Sequence, residues 1–282
     1  MSLAIKSGTG VSGANLSGVT TVPTANGVAT FSGLKIDRVG SGYQLIASSS
    51  VYTSATSMAF SITGVGRITT SGLRAMDAVT ANARWAVGLS GTIIATADGG
   101  RTWWEQSSGT SNDLLSVDFL NRKVGWVVGA NGTMLYTTDG GYTWTQKSSG
   151  TTLDLYRVRF YNSSRGIVTG ANGLILRTAN GGTTWVNPNS GTNYDLRGIS
   201  YGSADRAWAF GSSGQILRTT DGGSTWSAQT SGITKDLRSG HCVTTTRCWA
   251  VGRDGRVLRT TNGGSTWTVQ TVQASPEEDF NS

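Results

Sequence analysis

Five tryptophans, Trp103, Trp144, Trp185, Trp226 and Trp267, stand 41 residues apart with no insertion between copies, and this period constrains the chain more than any other feature. The same interval links Gly88, Gly129, Gly170, Gly211 and Gly252, and it links Leu73, Leu114, Leu155, Leu196 and Leu237. Trp85, Trp126, Trp208 and Trp249 share it, with Ile167 in the third copy. A fixed period of about 20 to 50 residues marks a repeat architecture. In the second copy Leu114 to Phe119 alternates apolar and polar residues, Trp126 to Gly129 is a second strand, Thr133 to Thr137 a third, and a fourth starts at Trp144. Four antiparallel strands in 41 residues make one propeller blade, which hides its apolar faces only against neighbours. The terminal copies look as ordinary as the middle ones, which predicts closure. The fold class is all-β: a five-bladed β-propeller over residues 69–273, a closed ring with each blade complete within its own repeat.

Composition agrees. Glycine contributes 40 of 282 residues because every copy needs turns, and ten tryptophans exclude a disordered chain. Collagen is excluded because glycine lacks a three-residue period. Only 14% of residues are charged, with one histidine and three glutamates, Glu105, Glu277 and Glu278. That inventory is thin for acid–base or metal chemistry, so neither a cofactor nor a metal is expected. No run of 18 apolar residues is present to insert into a membrane. The first residues lack the basic and apolar regions of a secretory signal, so export would need a signal elsewhere or another route.

The turn before each repeating tryptophan carries a motif: Thr138-Asp139-Gly140-Gly141-Tyr142-Thr143-Trp144 in the second copy, with Asp98, Asn180, Asp221 and Asn262 at the position of Asp139 in the others. An Asp or Asn side chain there can accept backbone N–H bonds, while glycine supplies positive φ. These segments resemble the Asp-box, or bacterial neuraminidase repeat. Together with the Trp-x-x-Gly-x-x-Gly element and Ile-Leu-Arg-Thr, they are similar to the photosystem II assembly and stability-factor-like propellers. The resemblance covers about 205 residues, 69–273. It implies non-enzymatic scaffolds that dock protein through an arginine patch. Asp-boxes in sialidases are turns remote from catalysis, so the motif alone does not imply an enzyme.

Residues 1–64 lack the repeat and contain no tryptophan. Gly27 to Asp37, Gly42 to Ala47 and Met58 to Ile62 read as strands, and they resemble the C-terminal part of a bacterial immunoglobulin-like β-sandwich. A whole sandwich takes about 100 residues. The module is therefore expected to be partial, to serve as a stalk, and to allow oligomers that complete it. Residues 65–68 read as a linker, with Gly64-Val65-Gly66 as hinge, and 274–282 as an acidic tail.

Cys242 and Cys248 are the only cysteines. A redox pair or two metal ligands are alternatives, but the six-residue spacing and lack of further soft ligands favour a hairpin disulfide in an oxidising compartment. Asp77, Asp118, Arg159, Ser200 and His241 are equivalent inner-strand residues. Closure would set them around a channel, with an Asp118–Arg159 ion pair and His241 beside Asp77. Net charge is +7, and residues 151–273 hold thirteen basic and six acidic side chains, against six of each in 69–150. Arg177, Arg218 and Arg259 are equivalent, as are Arg165, Arg206 and Arg247. Closure would also bring Arg74, Arg197 and Arg238 together. The nine arginines are candidates for an anionic partner or for covering tryptophan faces.

These features predict a non-catalytic binding or scaffold propeller on an immunoglobulin-like stalk, outside the cytoplasm, on a cell surface or on a phage. Its partner is an acidic protein segment or an anionic glycan. Nucleic acid is disfavoured because the aromatic residues sit in the structural register. A lectin-like propeller with sites repeated between blades is the alternative. A sialidase-like hydrolase is disfavoured because Glu105 is the only glutamate in the ring.

Overall fold

The computed structural model describes residues 1–38, 40–62 and 71–270. The expected linker and acidic tail, and the outermost residues of the expected propeller range, lie outside them. The chain divides into two compact units, residues 1–68 with 97–103, and 69–96 with 104–282, which are described separately.

In the first unit three small antiparallel sheets form. Leu45–Ser48 pairs with Ser2–Ile5 and Ala55–Thr56, Leu16–Ser17 pairs with Lys35–Ile36, and Gly40–Tyr43 pairs with Phe60–Ile62. Tyr43 is buried and its hydroxyl donates to the Arg38 carbonyl at 2.9 Å. The strand expected to start at Gly27 does not start there. Asn26 and Gly27 both adopt positive φ, 51° and 76°, and Ala25 bridges Val28 in a tight turn. An Asn-Gly pair favours such a turn over an extended run.

The second unit consists of five antiparallel sheets in the expected order. Blade two shows the pattern: Leu114–Phe119, Gly125–Gly129, Met134–Thr137 and Thr145–Gln146. The other blades start at Leu73–Ala78, Leu155–Phe160, Leu196–Tyr201 and Leu237–Cys242. Blade three departs from expectation: its fourth strand is reduced to one bridge between Arg177 and Val186. Pro188 follows two residues later and has no N–H to continue the ladder.

Gly129 ends the second strand in extended backbone, and a Cβ there would overlap the Asp113 carbonyl oxygen. The same close approach holds at Gly88, Gly170, Gly211 and Gly252, which explains that glycine in every repeat. The turns that follow place Ser90, Asn131, Asn172, Ser213 and Asp254 in left-handed backbone, φ 53–56°.

Apolar side chains fill the spaces between successive blades. Trp85 stacks on Phe119 at 3.7 Å between ring centroids, and Trp126 on Phe160 at 5.5 Å. The repeating leucine is 0% exposed in blades two to five and 48% exposed as Leu73 in blade one. Met76 is 58% exposed, where Val117, Val158 and Ile199 are buried. First strands pack against one another at the four junctions from blade one to blade five. Among the described residues the first strands of blades five and one do not pack in that way, and Leu73 and Met76 of blade one are exposed. Residue identity gives the reason. The residues that seat a blade on its predecessor are Asp113, Asp154, Asp195 and Asp236, together with Phe119, Phe160, Tyr201 and Cys242. Blade one has Gly72 and Ala78 in those places.

Candidate binding site

Each tryptophan turn is held by its own Asp or Asn. Asp139 Oδ1 accepts from the Thr143 backbone N–H at 3.0 Å and from the Thr137 hydroxyl at 2.7 Å, while Oδ2 accepts from the Thr143 hydroxyl at 2.6 Å. Asp221 repeats the set, and Asp98 accepts from Thr102 in the same way. Asn180 and Asn262 keep the backbone bond, but their amide nitrogens donate to Thr184 and Thr266. These residues are structural, and their hydrogen bonds run within the turn.

Of the five expected channel residues, the structure gathers three. Arg159 Nη1 lies 2.7 Å from Asp118 Oδ1 and 3.8 Å from Asp77 Oδ1. The other carboxylate oxygen of each aspartate accepts the backbone N–H of the next blade, Asp77 from Phe119 and Asp118 from Phe160, both at 2.7 Å. Ser200 does the same for Cys242 at 2.9 Å. Burial pushes the Asp118 carboxyl above its usual value, opposed by Arg159. The group is thus an inter-blade clamp, with both aspartates engaged. His241 is exposed, and among the described residues no ion pair or side-chain hydrogen bond joins it to Asp77.

The expected arginines fall into two groups. Those facing a following blade are engaged: Arg165 Nη1 pairs with Asp205 at 2.7 Å, and Arg177 Nε donates to the Gly222 carbonyl at 2.7 Å. Arg218 lies over the Trp208 ring, and Arg197 over Tyr156 while pairing with Asp195 at 2.8 Å. Arg206 and Arg238 are half-buried. In blade five the equivalents Arg247 and Arg259 are exposed, and Arg259 covers a half-buried Trp249. Arg253 and Arg256 are exposed on the same blade. Arg74 is exposed on blade one, and its expected meeting with Arg197 and Arg238 rested on closure. Sequence periodicity places these arginines at equivalent repeat positions, but which of them a neighbour covers is not read from a count of copies.

Cys242 and Cys248 form a disulfide, S–S 2.07 Å, across the first two strands of blade five. They occupy the place where Phe119 lies over Gly125 in blade two. Two open grooves recur on the opposite ends of the strands. One, ≈ 790 Å³, includes Gln215, Gln229, Ser231, Lys235 and Arg256. The other, ≈ 550 Å³, includes Asn131, Gln146, Lys147 and Ser149 two repeats earlier. Among the described residues no three His, Cys, Asp or Glu side chains gather as a metal site.

Residues 104–189 and 148–233 match the family model described as photosynthesis system II assembly factor YCF48. The likeness reaches three-dimensional structure. A solved YCF48 bound to D1 peptide has a TM-score of 0.52 and 20% identity, covering 71% of this chain and 82% of that one. YCF48 from Cyanidioschyzon merolae has a TM-score of 0.51 and 19% identity, covering 74% and 87%. An ancestral GH74 enzyme has a TM-score of 0.62 and 14% identity over 77% of this chain and 34% of the enzyme. The fold is therefore a YCF48-like β-propeller, shared with an enzyme family. No curated protein sequence matches the chain.

Proposed function

We propose that this chain is a non-catalytic, protein-binding propeller that docks an acidic segment on blade five. The observation that carries this reading is the set Arg247, Arg256 and Arg259, exposed and without an ion pair to any described residue. The blade-three equivalents of Arg247 and Arg259, Arg165 and Arg177, are bonded to blade four, whereas on blade five these positions are open to a ligand. The YCF48 match and that protein's structure with a peptide support a protein partner.

An arginine fork holds carboxylates bidentately, and exposed pairs weaken with salt. A fluorescein-labelled peptide rich in Asp and Glu is expected to bind in anisotropy titrations more tightly than its Asn/Gln analogue, and more weakly at high salt. The pair R247E and R259E should lower its affinity about tenfold or more. Equal binding of the acidic and neutral peptides would sink the proposal.

A second reading, glycan binding, is favoured by the two equivalent grooves and their amide and hydroxyl lining. A glycan array with competition by the soluble sugar tests it, since sites repeated between blades give multivalent binding. We propose further that the N-terminal unit is a partial immunoglobulin-like stalk and, from the Cys242–Cys248 disulfide, that the chain works outside the cytoplasm.

A further inference from the structure

Blade three is the only copy with a basic residue at both polar positions of its first strand. One position reads Ala75, Ser116, Arg157, Gly198 and Ser239 through the five copies, and the other Asp77, Asp118, Arg159, Ser200 and His241. In the blades around it, side chains at these positions accept a backbone N–H from the following blade. Ser116 Oγ accepts from Val158 at 3.2 Å, Asp77 from Phe119 and Asp118 from Phe160 at 2.7 Å, and Ser200 Oγ from Cys242 at 2.9 Å. An arginine carries donors and no acceptor. At the junction of blades three and four the repeat therefore presents two guanidinium groups where its neighbours present oxygen.

Blade four still brings its N–H to that junction. Gly202 donates to the Arg206 carbonyl within the blade at 2.9 Å, as Tyr161 does to Arg165 in blade three. Successive residues of an antiparallel strand direct their N–H groups to opposite sides. The Tyr201 N–H therefore points out of the ladder, as that of Phe160 does toward Asp118. Among the described residues no side chain accepts it. Thr169, opposite Arg157 in the neighbouring strand of blade three, adds a buried hydroxyl without a partner.

The charges at this junction are not matched one to one. Arg159 is engaged by Asp118 at 2.7 Å and approached by Asp77 at 3.8 Å. Arg157, half-buried, makes no ion pair or hydrogen bond with any described residue. Burial and the nearby charge of Arg159 hold its guanidinium below the ordinary arginine value, against a weaker pull from Asp118. An enclosed cation without a counter-ion is costly. We propose that the junction of blades three and four binds the carboxylate group of a ligand, with the Tyr201 N–H and the Arg157 guanidinium as its donors. A carboxylate fits because it is the group that Asp77 and Asp118 supply at the two preceding junctions, and a guanidinium holds it through paired N–H donors. The Arg159 side chain is 47% exposed, so the site is open to solvent. It is separate from the blade-five surface and stands without it.

Sodium acetate titrated into the ¹⁵N-labelled full chain, against sodium chloride at equal ionic strength, tests the site. The Tyr201 amide resonance should shift along a saturable curve, while that of Phe160, already held by Asp118, should not. Arg157→Gln should weaken the binding about tenfold, the effect of losing one charge-assisted hydrogen bond. Because that change removes an unmatched enclosed cation, the variant should melt no lower than the native chain, and the comparison is made on folded protein. A Tyr201 shift produced only by the peptide rich in Asp and Glu, and lost in R157Q, would uphold the site and assign its carboxylate to a protein segment in place of a free anion. No saturable Tyr201 shift with either probe overturns the proposal. So does an equal shift in R157Q, which would mean that the anion is held elsewhere.

Discussion

At the residue scale, the tryptophan turns show how two side chains of different charge do one structural task. Asp221 and Asn262 accept the same backbone bond from the residue four positions on, and threonine reverses its role, donating to Asp221 Oδ2 and accepting from Asn262 Nδ2. The hydroxyl's dual capacity makes the exchange possible. Only the aspartate turns depend on pH. Burial is the largest single influence on the Asp221 carboxyl and raises it, but the bonds from Thr225, Thr219 and Ser224 together outweigh it and hold it down to about 2. Asp139 is lowered for similar reasons. A carboxyl depressed in the folded state stabilises above its unfolded value near 3.9, and that contribution disappears as pH falls through the folded one. Asp221→Asn keeps the geometry and removes the titration. Thermal melts between about pH 5 and pH 2 should therefore show the native chain losing its advantage over the variant as acid is added. A difference that stays constant across that window would refute the assignment.

Junctions are the unit of stability at the scale of elements, and they are not equal. Trp144 Nε1 donates to Gln106 Oε1 at 3.2 Å, and Trp267 Nε1 to Gln229 Oε1 at 3.1 Å. Trp103 and Trp226 donate instead to the Gly100 and Gly223 carbonyls of their own turns, whereas the buried Trp185 indole nitrogen has no partner, and Lys147 stands where Gln106 and Gln229 serve Trp144 and Trp267. A buried unsatisfied donor costs about 1–3 kcal/mol. Lys147→Gln supplies the missing acceptor and gives up a contact of Lys147 with the Tyr136 ring at 5.5 Å. A net gain of about 1 kcal/mol is expected, read as a higher urea midpoint with an unchanged slope. How much of this was legible in the sequence depends on the interaction's range. Strands, turns and the tryptophan motif come from local pattern, and the period located them. Asp77, Asp118 and Arg159 were legible as neighbours because the repeat places equivalent residues side by side. Asp113, Asp154, Asp195 and Asp236 were visible as a repeating position before each leucine, but their role needs the preceding blade's left-handed amide, as Asp113 accepts that of Ser90 at 2.9 Å. The junction between blades five and one is the least legible, because Gly72 and Ala78 break a pattern otherwise satisfied throughout blade one.

For the propeller as a whole, the decisive property is that its two end faces differ. Blade five ends on tryptophan and arginine, blade one on exposed Leu73 and Met76. A stacked array is stabilised by nearest-neighbour interfaces, so a residue matters to the extent that a neighbour covers it. Met76 and Val117 are equivalent positions of successive first strands, 58% and 4% exposed. Threonine at residue 117 buries a hydroxyl in the space between blades and should cost roughly 1–3 kcal/mol. At residue 76 the same side chain faces solvent and should change stability by no more than about 0.5 kcal/mol. Comparing Met76→Thr with Val117→Thr by denaturant unfolding at two protein concentrations reads the end face directly. Equal costs at both positions would mean that blade one is covered in solution, by blade five if the cost is independent of concentration and by a second chain if it is not. The exposed face of blade one predicts a large cost at Val117 alone.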